Sequence, residues 1–260
     1  MLVKPSIQGL IQSALMKRSV VLTHPVLSHP VLTHIGPMAL LADSQLLFGG
    51  EKGGPLSQWV MDQMSARYAG DVSSASGISK KAVYIGAANG NAIEFYQMAT
   101  DVCRQWGVDS VVHVENVKQL VDLSVENIAV MILAGGDVAL GWNFLSQPSV
   151  RNWLNHYTQT NGLIVGISAG AIHLASTFSK GCGSRVCFLE YCTVNIAAHE
   201  EQERWPSVRS WQQSTNDEQL LFIGLPFGGG VLIEPNAVMF EGARAIGKGY
   251  EVFEKHTTII

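Results

Sequence analysis

The sequence has few charged residues and no marked excess of either sign. Lys, Arg, Asp and Glu make up 15% of the 260 residues, and the formal net charge at pH 7 is −4. A surface that binds nucleic acid or anionic lipid usually carries a marked excess of basic side chains, and this balance gives no such footprint. We therefore expect neither nucleic acid nor a membrane among the partners of this protein.

Long apolar runs are also missing. The sequence contains no segment of about 18 uncharged apolar residues, the length that a membrane helix needs. Its first residues lack the uninterrupted apolar segment and the small-residue cleavage site of a secretory signal. Apolar residues still make up 47% of the chain, which is enough for a sizeable buried core. We expect a cytoplasmic globular protein.

The sequence lacks the usual signatures of metals and cofactors. Its four cysteines do not have the paired C-x-x-C spacing of a structural zinc site, and we expect free thiols in a reducing cytosol. These cysteines are Cys103, Cys182, Cys187 and Cys192. No glycine-rich loop has the spacing of a phosphate or dinucleotide fingerprint. We expect no metal and no cofactor.

The first 35 residues contain a short repeat whose units end in His24, His29 and His34, with a proline between successive units. A five-residue period places successive histidines on opposite faces of an extended strand, and proline prevents a continuous helix. A histidine metal site is therefore disfavoured. We predict an N-terminal extension over residues 1–35, an arm that lies on the body of the protein or on the neighbouring subunit of a homodimer.

Residues 36–260 have the pattern of one α/β domain. Apolar runs typical of strands alternate with helical spacing, which predicts a mostly parallel central sheet with helices on both faces. The predicted strands lie within 37–48, 82–86, 111–114, 128–133 and 163–167, and the helices within 56–68, 93–106, 138–145 and 170–177. Beyond residue 180, short apolar runs at 186–196, 220–225 and 231–233 predict antiparallel hairpins added at one edge of the sheet.

The strongest chemical signal is a G-x-S-x-G motif, Gly166 to Gly170, that directly follows a predicted buried strand and opens a helix. Such a sharp strand-to-helix turn lifts the serine hydroxyl above the sheet edge, which favours Ser168 as a nucleophile. The N–H of Ala169, at the helix N-terminus, is placed to stabilise an oxyanion. The alternative is an ordinary tight turn in which Ser168 only caps the helix.

A second loop, Gly135-Gly136-Asp137, also follows a predicted strand. Consecutive glycines allow close approach of a ligand and offer a further N–H donor. Ligands in open α/β sheets bind at the carboxyl ends of strands, so this loop and Ser168 are expected to share one crevice. The alternative is a turn made for packing only.

Three histidines after Ser168 are candidates for the base that a serine nucleophile requires. His173 lies five residues into the helix and points away from the Ser168 hydroxyl, so we expect a structural role. His199 ends an apolar run and enters a polar loop, as a catalytic histidine would. His256 lies late in the chain, where an ordinary α/β-hydrolase carries its histidine.

Four segments together carry a family resemblance: 84–88 (YIGAA), 134–137 (AGGD), 166–171 (GISAGA) and 195–199 (NIAAH). In this order and spacing they resemble the peptidase E and cyanophycinase family of serine peptidases. The resemblance implies a class I glutamine-amidotransferase-like α/β fold and hydrolysis of small peptide, isopeptide or amide bonds next to an aspartyl or other acidic group. It implies Ser168 as nucleophile, His199 as base, and Gly136 and Ala169 as oxyanion donors.

The remaining assignments extend this resemblance. The family's third triad member is an acid between serine and histidine, and Glu190 is the one carboxylate in that interval. Gly135 and Asp137 are expected to contact substrate, and Arg204 and Arg209 could bind a substrate carboxylate or be solvated surface charges. Two alternatives stay open: an α/β-hydrolase esterase that uses His256, and an inactive binding protein on the same fold.

Overall fold

The computed structural model describes residues 34–49, 54–69, 80–180, 184–192, 194–213, 221–236 and 242–254, excepting the side chains of 177–180 and 184–186. Most of the predicted N-terminal extension lies outside these residues, including His24 and His29. Cys182 and His256 also lie outside them. The predicted arm and the alternative role of His256 therefore remain predictions.

A seven-stranded sheet forms the centre of the described chain. Five of its strands are parallel, and they are β1 (Met38–Leu41), β2 (Lys81–Ile85), β3 (Ser110–Val114), β4 (Ile128–Leu133) and β5 (Leu163–Ile167). Two antiparallel strands, β10 (Gly229–Ile233) and β11 (Arg244–Gly247), extend the edge beside β1. The strand order is β11-β10-β1-β5-β4-β2-β3. The predicted mostly parallel sheet with antiparallel strands at one edge is confirmed.

Two smaller sheets complete the strands. A hairpin pairs β6 (Thr177–Lys180) with β7 (Ser184–Cys187). The other sheet has the order β12-β9-β8, built from β8 (Asn195–Ala198), β9 (Phe222–Leu225) and β12 (Glu251–Phe253). Within it β8 runs parallel to β9, whereas the short apolar runs there suggested a hairpin. The 23 residues between them, 199–221, include a helix. A connection of this length can bring the chain back so that β9 begins beside the start of β8 and runs parallel to it.

Helices cover both faces of the central sheet. They are α1 (Gly54–Tyr68), α2 (Ile93–Gln105), α3 (Val117–Val121), α4 (Val138–Leu145), α5 (Pro148–Gln159), α6 (Ala169–His173) and α7 (Pro206–Gln213). Helices α3, α5 and α7 were not predicted from the sequence, although Pro148 at the first turn of α5 is a typical start signal. Helix α6 is shorter than predicted, because Thr177 already begins β6.

Strand β1 shows how the sheet buries both faces. Met38 and Leu40 belong to one hydrophobic cluster, which helices α3 to α6 cover. Ala39 and Leu41 belong to the cluster on the opposite face, beneath α1 and α2. Alternate residues of a strand face opposite sides, so a strand that is apolar throughout requires cover on both. This burial accounts for the continuous apolar runs that identified the strands.

No helix in the described ranges is long and apolar enough to cross a membrane. Cys103, Cys187 and Cys192 are free thiols.

His173 is part of the core between α4 and α6. It is 1% exposed, and its Nε2 donates to the carbonyl of Val138 at 2.8 Å. Its ring packs edge-on against Phe188, with centroids 5.3 Å apart, and a Cβ on Gly141 would lie 2.5 Å from its Cε1. Burial lowers the pKa of His173, because the charged imidazolium is poorly solvated there. The residue fills a structural position.

We expect His173 to make the protein less stable in mild acid. The unfolded chain binds a proton at His173 near pH 6.5, whereas the folded chain resists it, so stability is lost as the pH falls below about 6.5. The free energy of unfolding in urea, measured between pH 7.5 and 5, should fall less steeply in His173→Gln than in the parent. His156→Gln, at an exposed position, is the matched control. Equal slopes for His173→Gln and the parent would contradict this account.

Candidate functional site

The site lies where β4 and β5 end side by side. Both strands run in the same direction and are neighbours in the sheet, so the loops that follow them emerge at one edge. Gly135 follows β4 and Ser168 follows β5. A Cβ placed on Gly135 would lie 3.2 Å from the Cβ of Ser168, so the two loops are in direct contact. The crevice predicted from the two motifs is present.

Ser168 occupies a strained turn. Its φ of 50° and ψ of −110° are unusual for a residue with a side chain. Its N–H donates to the carbonyl of Leu41 at 2.8 Å, which fixes the turn against β1. Although Ser168 stands at the N-cap of α6, its side chain makes no capping hydrogen bond. The hydroxyl is therefore not used as a helix cap, the simplest structural alternative.

Two glycines make this turn sterically allowed. A Cβ on Gly170 would lie 2.1 Å from the carbonyl oxygen of Leu133 in β4, and one on Gly166 would lie 2.9 Å from the Cα of Ala171. Neither contact is tolerable for a real side chain. The spacing of the G-x-S-x-G motif thus follows from the close packing of α6 on the ends of β4 and β5.

His199 reaches Ser168 from the smaller sheet. It directly follows β8, and its N–H donates to the carbonyl of Leu225 in β9 at 2.7 Å. Its φ of 47° places it in the left-handed region and turns the chain at the strand end. The Oγ of Ser168 and the Nε2 of His199 are 3.0 Å apart, a hydrogen-bond distance. The structure brings these two predicted residues together.

The Gly135–Gly136 loop lies next to Ser168. Gly136 has a φ of 140°, and a Cβ there would lie 2.2 Å from the carbonyl oxygen of Ala88. The following N–H, of Asp137, donates to that same oxygen at 2.8 Å and holds the loop in place. No hydrogen bond joins the N–H of Gly136 or Ala169 to another described residue. Within the described residues, the two N–H groups that are expected to bind an oxyanion are therefore unpaired.

Asp137 and the two arginines have local roles. The carboxylate of Asp137 caps α4 by accepting from the N–H of Leu140 at 2.7 Å. Arg209 donates to the carbonyl of Glu203 at 3.1 Å, and Arg204 is exposed in a left-handed turn. None of the three is among the described residues that line the cavity beside Ser168. Their predicted contacts with substrate find no support in this arrangement.

The structure does not place Glu190 beside His199, where an orienting acid would lie. Glu190 is exposed, and it makes no hydrogen bond or ion pair with His199, which is also described. The reason lies in the backbone: the N–H of Glu190 donates to the carbonyl of Ala175, and its φ is 60°. Its neighbours Leu189 and Tyr191 are buried in the core. This packing leaves the side chain of Glu190 directed outward.

Two acids just after His199 are engaged elsewhere. Glu200 accepts from both the N–H and the hydroxyl of Ser207, at 2.9 and 2.5 Å. Glu201 accepts from the N–H of Phe227 through Oε1 at 3.0 Å, and its Oε2 is buried without a partner among the described residues. No carboxylate in the described part of the chain is hydrogen-bonded to His199. Ser168 and His199 form a pair rather than a triad there.

A cavity of about 290 Å³ opens beside Ser168. It lies between the turn after β1, helix α2 and the ends of β4 and β5. Its apolar side chains include Leu47, Phe48, Phe95, Met98, Ile132 and Ile167. This cavity was not predicted from the sequence, because the apolar spacing in α2 indicated only a helix packed on the core. Phe95 and Met98 on α2 are instead 52% and 40% exposed.

Replacing Gly170 tests whether the elbow depends on close packing. Alanine is the better helix former by about 1 kcal/mol, so an unhindered site would be stabilised by Gly170→Ala. We expect destabilisation by about 1–3 kcal/mol instead, because the new methyl group overlaps the Leu133 carbonyl. Urea unfolding measures the difference.

Gly49→Ala is the matched control, since Gly49 has a φ of −75° and a Cβ there would lie 3.7 Å from the carbonyl oxygen of Leu46, an ordinary van der Waals contact. Its free energy of unfolding should be close to that of the parent. A Gly170→Ala protein as stable as Gly49→Ala would contradict the steric account.

Comparison with known proteins finds a likeness in structure. No family model and no curated protein matches the sequence. A crystal structure of a peptidase from an acI-B1 Actinobacterium is similar, with a TM-score of 0.61 at 16% identity, over 86% of this chain and 98% of that one. A Listeria monocytogenes EGD-e protein named as a candidate peptidase E is also similar, with a TM-score of 0.53 at 11% identity. The match covers 82% of this chain and 98% of that one. This chain therefore has a peptidase E-like α/β fold.

Proposed function

We propose that this protein is a serine hydrolase that cleaves a small peptide, isopeptide or amide bond. The observation that carries the proposal is the 3.0 Å contact between Ser168 Oγ and His199 Nε2 at a strained strand-to-helix turn. A serine hydroxyl needs such a neighbouring base to act as a nucleophile. The peptidase names of the two structural neighbours support an amide rather than an ester as the substrate.

Each step of the proposed reaction can be assigned to a residue of the site. Ser168 Oγ attacks the scissile carbonyl while His199 Nε2 takes the hydroxyl proton, and the carbonyl oxygen becomes an oxyanion. The N–H groups of Gly136 and Ala169 would hydrogen-bond this oxyanion. His199 then returns the proton to the leaving amine as the C–N bond breaks. Water, deprotonated by His199, hydrolyses the acyl-enzyme and releases Ser168.

We propose that His199 works without an orienting carboxylate. A triad acid fixes the tautomer and the orientation of the histidine ring. Here, orientation is supported instead by the backbone of His199, through its hydrogen bond to Leu225 and its left-handed turn. Glu190 is too exposed to be that acid, and Glu200 is held by Ser207. The proposed catalytic arrangement is therefore a serine–histidine dyad.

The contact between Ser168 and His199 also favours the proposed dyad over an α/β-hydrolase that uses His256. That alternative requires a different histidine within hydrogen-bond reach of Ser168, and His199 already occupies a position there. An inactive binding protein is the remaining alternative, and it predicts no turnover.

Substitution of either member of the pair tests the proposal. The assay is release of free amine from a panel of dipeptides and amino-acid amides. We expect Ser168→Ala and His199→Ala each to lower kcat/KM by about 10⁴-fold or more, as loss of a catalytic-triad member does. Ser65→Ala and His156→Ala are matched controls at exposed helical positions and should retain parental rates. Turnover that survives in Ser168→Ala would refute the proposal.

Glu190 provides a separate test of the dyad. Because its carboxylate does not contact His199, Glu190→Gln should keep kcat/KM within about threefold of the parent, with an unchanged pH profile. The same assay, run from pH 5 to 9, measures both kcat/KM and its pH profile. A hundredfold loss in a folded Glu190→Gln protein would restore Glu190 as the orienting acid.

A further inference from the structure

The cavity beside Ser168 carries information about the substrate. We propose that it is an acyl pocket that binds an apolar side chain, aromatic or branched aliphatic, attached to the scissile carbonyl. This inference rests on the proposed serine hydrolase function and goes beyond it. It also replaces the aspartyl preference that the family resemblance implied.

The first observation is the chemistry of the cavity wall. Most of the residues that line it are apolar, and three large ones remain open to solvent: Phe48, Phe95 and Met98 are 46%, 52% and 40% exposed. Single exposed apolar side chains are common, but several around one concave site next to a reactive group mark a binding surface for an apolar ligand. An apolar substrate group would remove these surfaces from water.

The second observation is the charge of the residues that line the cavity. No lysine or arginine is among the described residues that line the cavity, whereas Asp43 is. The Asp43 carboxylate accepts from the N–H groups of Gln45 and Gly228, at 2.7 and 2.5 Å, and these hold it in place. A bound aspartyl side chain would lie near a like charge, with no cation among the described lining residues to balance it, and burying an unpaired carboxylate is strongly unfavourable.

The third observation is which part of the substrate the cavity can hold. His199 must reach the leaving amine to protonate it, so the leaving group lies on the side of Ser168 where His199 is. The described cavity wall includes Ser168 and the oxyanion donor Gly136, but not His199. The cavity is therefore placed to hold the acyl side of the substrate.

The fourth observation is size. A volume of about 290 Å³ lies at the lower end of the range of about 300–1,000 Å³ for small-molecule pockets. It suits one side chain rather than a long acyl chain. At its floor, Asn89 donates to the hydroxyl of Tyr84 at 2.9 Å, and burial raises the pKa of the Tyr84 phenol, so this polar pair is neutral at pH 7.

Two boronic acids of equal chain length test the acyl pocket without requiring turnover. Boronic acids form a tetrahedral adduct with an activated serine, and 2-phenylethylboronic acid and 2-carboxyethylboronic acid differ only in the group offered to the cavity. Isothermal titration calorimetry with the full chain should give a Kd at least about tenfold lower for the phenyl compound. Ser168→Ala should bind neither.

Variants on α2 locate the contact. Phe95→Ala should weaken binding of the phenyl compound severalfold, and Met98→Lys should shift the preference toward the carboxylate compound. Both side chains are half exposed, so the fold should tolerate the changes. Ile93→Ala is the matched control, because Ile93 is 49% exposed on the same helix and is not among the cavity residues.

Each outcome has a distinct meaning. Equal or tighter binding of the carboxylate compound, lost in Ser168→Ala, would overturn the apolar pocket and leave the hydrolase proposal intact. Binding of neither compound by a protein that hydrolyses amides would also overturn the pocket alone. Binding that persists in Ser168→Ala would count against Ser168 as an activated nucleophile, and so against both proposals.

Discussion

Helix α6 lies so close to the end of β4 that no side chain fits at Gly170. A Cβ on Gly170 would lie 2.1 Å from the carbonyl oxygen of Leu133. This contact forces the chain to turn sharply after β5, and the turn holds Ser168 at a φ of 50°. The same closeness brings the loop after β4, with Gly135 and Gly136, against Ser168. The positions of the proposed nucleophile and of the proposed oxyanion donors thus follow from one packing constraint.

The proposed base, His199, comes from a different part of the fold. His199 is attached to the sheet β12-β9-β8, and its backbone hydrogen bond to Leu225 fixes where β8 ends. A small displacement of that sheet would break the 3.0 Å contact with Ser168, because hydrogen bonds weaken steeply with distance and angle. The proposed chemistry therefore depends on how the smaller sheet packs on α6, with Ala197 and Ala198 buried at the strand that carries the histidine.

The parts of the site that follow from local sequence could be predicted. Gly166, Ser168 and Gly170 belong to one turn. The parallel strands are buried on both faces of the sheet, so successive residues are apolar and the strands appear in the sequence as continuous apolar runs. Contacts between distant segments could not be derived in this way. Glu190 stands between Ser168 and His199 in sequence, yet buried Leu189 and Tyr191 direct it outward. The cavity was missed because the apolar positions of α2 look alike in sequence whether they face the core or a ligand.

The central claim, that Ser168 is activated by His199, is tested most directly by covalent labelling. A fluorophosphonate modifies activated serines and leaves ordinary hydroxyl groups untouched. The account predicts one adduct, located on Ser168 by peptide mass spectrometry, and a large drop in its rate of formation in His199→Ala. An adduct on another residue, or none on a folded sample, would contradict it.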